Sequence, residues 1–128
     1  AMGAWAGDLI EAALKLREEG YKVGVARIRF YRPFPIEDLF EITKNAKAVV
    51  VFDRSISFGA WGPIFTDLVG GLSLYTTKLP VVANVIAGIA GVDVAQEAAY
   101  EILKSIVDKV ERGELSGKGY FKWVRIRR

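Results

Sequence analysis

Lys47-Ala-Val-Val-Val-Phe-Asp53-Arg54-Ser-Ile-Ser-Phe-Gly59 is the stretch on which the fold turns. Ala48 to Phe52 is an apolar run without the polar alternation of a half-exposed strand. Such a run predicts a strand covered on both faces, as in parallel sheets. It stops at Asp53-Arg54-Ser55, and Gly59 and Gly62 follow. In open α/β sheets the loops at the C-terminal ends of strands meet ligands or partners, so this turn is the first candidate site. The plainer role of an Asp or Arg at such a place is to cap the following helix or to solvate the turn.

Upstream, Tyr21 to Arg32 reads as a second strand, with Val23, Val25, Ile28 and Phe30 apolar. Arg32-Pro33-Phe34-Pro35 closes it, because two prolines remove two backbone donors and fix φ. Ile36 to about Asn45 predicts a short helix with Ile36, Leu39, Phe40 and Thr43 inward. At the start, Ala1 to Gly7 reads as a strand end turning into a helix capped by Asp8 and Glu11. That helix runs to about Glu19, presents Leu9, Ile10, Ala13, Leu14 and Leu16, and stops at Gly20. The turn is not G-x-G-x-x-G, and Asp8 would repel a phosphate.

Downstream, Pro63 suits the first turn of a helix carrying Ile64, Phe65 and Leu68, which Gly70-Gly71 would end. Residues 72–80 connect to a last core strand, Val81 to Ile86, and a small-residue loop, Ala87 to Gly91. Asp93 with Gln96 opens the clearest helix, with Ala95, Ala99, Ile102, Leu103, Ile106 and Val110 at helical spacing up to Gly113. The chain divides into a domain over 1–113 and a basic–aromatic tail over 114–128, which docks as an extended segment or forms an edge strand. Strand and helix alternate about four times, which predicts a three-layer α/β/α sandwich with a mostly parallel sheet.

Composition narrows the function classes. A chain of 128 residues is one domain, and a 52% hydrophobic content points to apolar surface that meets a partner. No apolar run has the length of a membrane span. The net charge of +3 gathers in Lys118, Lys122, Arg125, Arg127 and Arg128, so it marks the tail and not a nucleic-acid face. The chain has neither Cys nor His. Thiolate-held clusters, ordinary zinc sites and Cys- or Ser–His nucleophiles are therefore excluded from it. One Met, one Gln (Gln96) and two Asn (Asn45, Asn84) leave few thermolabile residues, as in a thermophilic source.

The elements Gly3-Ala-Trp-Ala-Gly7-Asp8, Glu19-Gly-Tyr-Lys-Val-Gly24, Arg32-Pro-Phe-Pro35, Val51-Phe-Asp-Arg-Ser55 and Phe58-Gly59 carry a family resemblance. Together they resemble the second domain of the alpha subunit of pyruvate (2-oxoacid):ferredoxin oxidoreductases, itself similar to the C-terminal domain of transketolase. The resemblance runs from Met2 to about Ile106. Gly91-Val92-Asp93 keeps only part of the family's Gly-Gly-Arg-Asp. It implies a cytoplasmic, oligomeric enzyme that decarboxylates a 2-oxoacid on thiamine diphosphate, passes electrons through iron–sulfur clusters to ferredoxin and forms acyl-CoA. The chain has no G-D-G…N-N thiamine signature and no cysteine. The implied role is thus a non-catalytic scaffold that meets the thiamine-binding domain and other subunits, with no cofactor, nucleic acid or membrane bound by this chain. The interface expected is Arg32, Pro33, Phe34, Pro35, Asp53, Arg54, Ser55 and Gly59. The resembling domains have a full strand ending at Met2-Gly3, so the sheet is expected to show a gap, a second segment supplying that strand, or dimerisation through it. Two alternatives are a stand-alone CoA- or nucleotide-binding module and an interaction domain of another thiamine enzyme, such as a transketolase or 2-oxoacid dehydrogenase.

Overall fold

A computed structural model describes residues 1–91, 94, 96–115 and 120–124. In chain order its elements are α1 (Trp5–Glu18), α2 (Ile36–Thr43), β1 (Ala48–Asp53), α3 (Pro63–Leu72), β2 (Val81–Ile86), α4 (Gln96–Glu111) and β3 (Tyr120–Trp123). The strands form a parallel sheet in the order β1-β2-β3. Register runs from Ala48 opposite Val81 to Asp53 opposite Ile86, then from Ala83 opposite Tyr120 to Ile86 opposite Trp123.

The uninterrupted run of β1 has the meaning read from it, since successive residues serve opposite faces. Val50 and Phe52 pack into a core shared with α1 and α4, where Trp5 lies against Phe52 with ring centroids 5.4 Å apart. Val49 and Val51 pack into a second core with α2 and α3, built on Leu39, Phe65, Leu68 and Leu72. Helices thus cover both faces of a parallel sheet, the three-layer α/β/α arrangement expected. Beyond the packed apolar faces, α1 and α4 are tied at their rims. Lys104 Nζ lies 2.6 Å from Glu19, which also accepts the Tyr100 hydroxyl, and Tyr21 donates to Asp108 over 2.6 Å.

Several local expectations need correction. Tyr21 to Arg32 is not a strand among the described residues. Only Ile28 pairs, in an isolated parallel bridge with Met2, with Ile28 N–H donating to the Ala1 carbonyl over 3.0 Å. The Ala1 ammonium donates to the Ala26 carbonyl over 3.2 Å. Apolar alternation was present, but a strand also needs a partner, and an open cleft of about 990 Å³ lies between residues 20–26 and β1. Helix α1 begins at Trp5, ahead of the expected Asp8 cap. Its N-cap is Ala4 without a side-chain cap, and Asp8 sits in the first turn, favourable to the helix dipole. Ile10 and Leu14 of its expected stripe are exposed, while Trp5, Ala6 and Ala12 are buried instead. Gly70-Gly71 does not end α3, which continues to Leu72. A side chain at Gly71 would meet Ile36 Cδ1 at 2.5 Å, so that glycine serves the close approach of α2 and not a helix stop. The expected Asp93 cap, Ala95 and the tail residues Lys118, Arg125, Arg127 and Arg128 lie outside the described residues.

Candidate functional site at the C-terminal end of the sheet

The turn after β1 is built around a carboxylate that points inward. Asp53 is only 2% exposed. Pro63 occupies the first position of α3 and has no N–H, so the first donors of the helix belong to Ile64 and Phe65. Ile64 N–H donates to Asp53 Oδ1 over 2.9 Å and Phe65 N–H to Oδ2 over 3.2 Å. The positional cap is Gly62, which has no side chain to offer; Asp53 supplies the missing cap from the strand end.

Asn84, fully buried in β2, completes the arrangement. Its amide donates to Asp53 Oδ2 over 3.0 Å and to the Val51 carbonyl over 3.3 Å, while its Oδ1 accepts Gly62 N–H over 2.8 Å. Burial pushes the Asp53 carboxyl above its ordinary range, and the donors from Ile64, Phe65 and Asn84 pull it back. Nothing in the sequence pattern singles out Asn84. It is a polar residue inside Val81-Val-Ala-Asn-Val-Ile86, and its polarity is the signal that could have found it, since buried amides require partners.

The rest of the turn faces outward. Arg54 is exposed, with Nε 3.5 Å from the Gly88 carbonyl in the loop after β2. Ser55 is exposed, Gly59 takes a left-handed φ of 76°, and Phe58 is 98% exposed. Trp61 stacks on Phe65 with centroids 4.8 Å apart. The turn therefore presents a guanidinium and an aromatic ring on a base fixed by Asp53 and Asn84.

Arg32-Pro33-Phe34-Pro35, with a cis bond before Pro33, is anchored on the same helix further along. Arg32 lies 2.9 Å from Asp67 of α3, and the Tyr31 hydroxyl donates to the same carboxylate. The Arg32 guanidinium sits over the Tyr31 ring at 4.1 Å, and Phe34 meets that ring edge-on at 5.7 Å. Pro35 precedes α2, and its carbonyl accepts Leu39 N–H. Both groups are thus held by α3, the first through Asp53 and the second through Asp67; among the described residues Arg32 and Arg54 share no hydrogen-bond or ion-pair partner.

The Tyr31 hydroxyl, more than any other group, holds the Asp67 carboxyl below its ordinary value of 3.8; burial opposes it as the next-largest influence, and Arg32 adds to the lowering. A carboxyl lowered on folding contributes stability above its unfolded pKa and loses it as pH falls through the folded one. Asp67→Asn is accordingly expected to cost about 1 kcal/mol at pH 7, given a partly exposed pair. Urea unfolding of both proteins from pH 7 to pH 3 checks this. The gap should close on the acid side, and a gap that stays constant or widens there contradicts the assignment.

Among the described residues no cluster of His, Cys, Asp or Glu could hold a metal ion, and no helix is long and apolar enough to cross a membrane. Comparison with known proteins adds the family. The chain is 38% identical over 128 residues to ketoisovalerate oxidoreductase subunit VorA of Pyrococcus horikoshii, covering 99% of this chain and 32% of that subunit. It is 42% identical over 118 residues to the Pyrococcus furiosus VorA, covering 91% of this chain and 28% of that one. Pyruvate synthase subunit PorA of Thermotoga maritima is 37% identical over 97 residues, 76% of this chain and 24% of that subunit. These relatives come from thermophiles. The chain spans about a third or less of the curated relatives it matches. Residues 1–99 match the description pyruvate:ferredoxin oxidoreductase core domain II, and the chain belongs to that family.

Proposed function

We propose that this domain is a non-catalytic scaffold and subunit-interface element of a 2-oxoacid:ferredoxin oxidoreductase. In that reading the whole assembly oxidatively decarboxylates a 2-oxoacid to an acyl-CoA, reduces ferredoxin and works in the cytoplasm. Thiamine diphosphate, iron–sulfur clusters and CoA belong to other parts of it. The donor chemistry supports this division, because a chain without Cys or His has no thiolate or imidazole for a cluster.

The observation that carries the interface role is the split within the turn after β1. Asp53 is spent on α3 and Asn84, whereas Arg54 and Phe58 project from that fixed base into solvent. Arg offers planar, fixed donors to carboxylates and carbonyls, and an exposed aromatic supplies desolvated contact area. Ser55 and Gly59 allow close backbone approach, and Arg32 with Pro33, Phe34 and Pro35 forms a second contact along α3. Asp53 then positions the interface without touching the partner.

Arg54→Ala and Phe58→Ala test the reading in the assembled complex. Thermal unfolding of the domain should change little, within about ±0.5 kcal/mol for an exposed site. Subunit association should weaken at least about tenfold, since truncating one partner of a desolvated charge pair costs about 2–5 kcal/mol. Association unchanged in both variants would reduce the loop to a solvated turn.

A further inference from the structure

Charge is distributed unevenly around the N-terminal end of α3. From Gly20 to Pro35 the sequence carries Lys22, Arg27, Arg29 and Arg32 and no carboxylate side chain, and from Arg54 to Thr66 its one charged residue is Arg54. Both segments converge on the first turns of α3. The Tyr31 hydroxyl and Arg32 reach Asp67, while Asp53, directly before Arg54, accepts from Ile64 and Phe65. The carboxylates of this region are therefore occupied, Asp53 by the helix and Asp67 by Tyr31 and Arg32. Among the described residues the others lie on α1, α2 and α4 or just beyond their ends. The guanidiniums are not matched. Arg27, Arg29 and Arg54 are exposed and make no ion pair among the described residues, and Arg54 reaches only the Gly88 carbonyl at 3.5 Å. Beside them in the chain stand two bare rings, Phe30 at 79% and Phe58 at 98% exposure.

We infer that this face docks an acidic protein surface, an inference that rests on the interface reading above. The partner presents Asp or Glu carboxylates to Arg27, Arg29 and Arg54, around an apolar centre that covers Phe30 and Phe58. Complementarity sets the sign of the partner. A guanidinium taken out of water without an acceptor is strongly unfavourable, and the carboxylates at this end of α3 are already engaged. Arg meets a carboxylate through two parallel N–H donors, which fixes orientation as well as charge. The exposed rings separate a protein from a small anion. A phosphate or a small acid would neutralise the arginines and leave both rings in water, whereas a protein surface covers rings and charges together. A second copy of this chain is the poorer occupant, because a twofold contact through this face would set guanidinium against guanidinium.

Carbodiimide coupling in the assembled complex tests the partner group directly. The reagent joins an amine to a carboxylate in contact with it and leaves a guanidinium unreacted. Arg29→Lys and Arg54→Lys place an amine at the two positions. Each variant should give a cross-linked peptide that joins its substituted position to an Asp or Glu of another subunit, and the unsubstituted chain should give none there. Arg29→Glu and Arg54→Glu should each weaken subunit association at least about tenfold. Association of the unsubstituted complex should itself weaken as sodium chloride rises from about 50 mM to about 500 mM. Association that is weakened by Phe58→Ala, yet unchanged in both Glu variants and indifferent to salt, would overturn the acidic partner and leave the interface reading standing. Association unchanged in all three variants would remove both. Cross-links confined to carboxylates of this chain would also overturn the proposal. So would displacement of the other subunits by duplex DNA at about 150 mM salt, which would put nucleic acid on this face.

Discussion

Asp53→Ala is expected to destabilise the domain by about 3 kcal/mol at pH 7, read as a shift of the urea midpoint with an unchanged slope. The substitution removes the acceptor for Ile64 N–H, Phe65 N–H and one Asn84 hydrogen, all buried. A buried donor left without an acceptor costs about 1–3 kcal/mol, and relief of the buried carboxylate's own desolvation offsets part of the sum. Asp53→Asn should recover only a fraction, since its amide hydrogens would face a helix N–H or the Asn84 amide. The pH dependence separates this carboxylate from Asp67. Asp53 has its pKa raised on folding, so its contribution is greatest below the unfolded value and declines as pH rises toward the folded one. The Asp53→Ala deficit should therefore narrow from pH 3 to pH 6, whereas the Asp67→Asn deficit grows. A deficit below about 1 kcal/mol across that range would mean that the carboxylate does not hold α3.

This double duty explains what could be read in the sequence and what could not. The five apolar residues ahead of Asp53 imposed a strand with two covered faces, and the helical spacing after Gln96 imposed α4; periodicity of that kind is local and strong. Tyr21 to Arg32 had the composition of a strand, but pairing is a property of two segments. With only Met2 beside Ile28, the segment stays outside the ladder. Gly70-Gly71 looked like a helix stop because glycine lowers helix propensity. The close packing of Ile36 on α3, invisible in one dimension, decides otherwise.

The site was legible in place but not in its internal division. A polar cluster ending a buried strand marks a loop at the functional end of an α/β sheet, and Asp53-Arg54-Ser55 sits there. Which of its charges turns inward depends on Pro63, ten residues later, which withholds an N–H and leaves α3 in need of a distant acceptor. It also depends on Asn84, thirty-one residues later, which pairs with that acceptor from the neighbouring strand. Phe58 carries no periodic signal at all, and only its 98% exposure marks it for contact. Asp67 was overlooked for the converse reason, because it lies on a helix face with no motif while Tyr31 and Arg32 reach it from another segment.

Gly62→Ala should cost a further large amount at the same place, about 2–4 kcal/mol by urea unfolding. The backbone at Gly62, with φ −64° and ψ 150°, suits any residue, so the cost is not conformational. A Cβ there would lie 2.1 Å from Asp53 Oδ2, 2.3 Å from Cγ and 2.6 Å from Cβ. The carboxylate cannot swing aside without releasing Ile64 and Phe65, and Gly62 cannot shift without straining its bond to Asn84. Gly70→Ala on the same helix is the control. Its Cβ would meet nothing within 4 Å, so the change should be neutral or stabilise by up to about 1 kcal/mol through helix propensity. The decisive comparison is the double variant Asp53→Ala, Gly62→Ala. Removing the carboxylate relieves the two closest contacts and leaves only the one with Cβ. The double variant should then lose at least about 1 kcal/mol less than the sum of the single changes. Strict additivity would mean that the two residues do not share one packing constraint, and that the absence of a side chain at Gly62 serves something other than the cap.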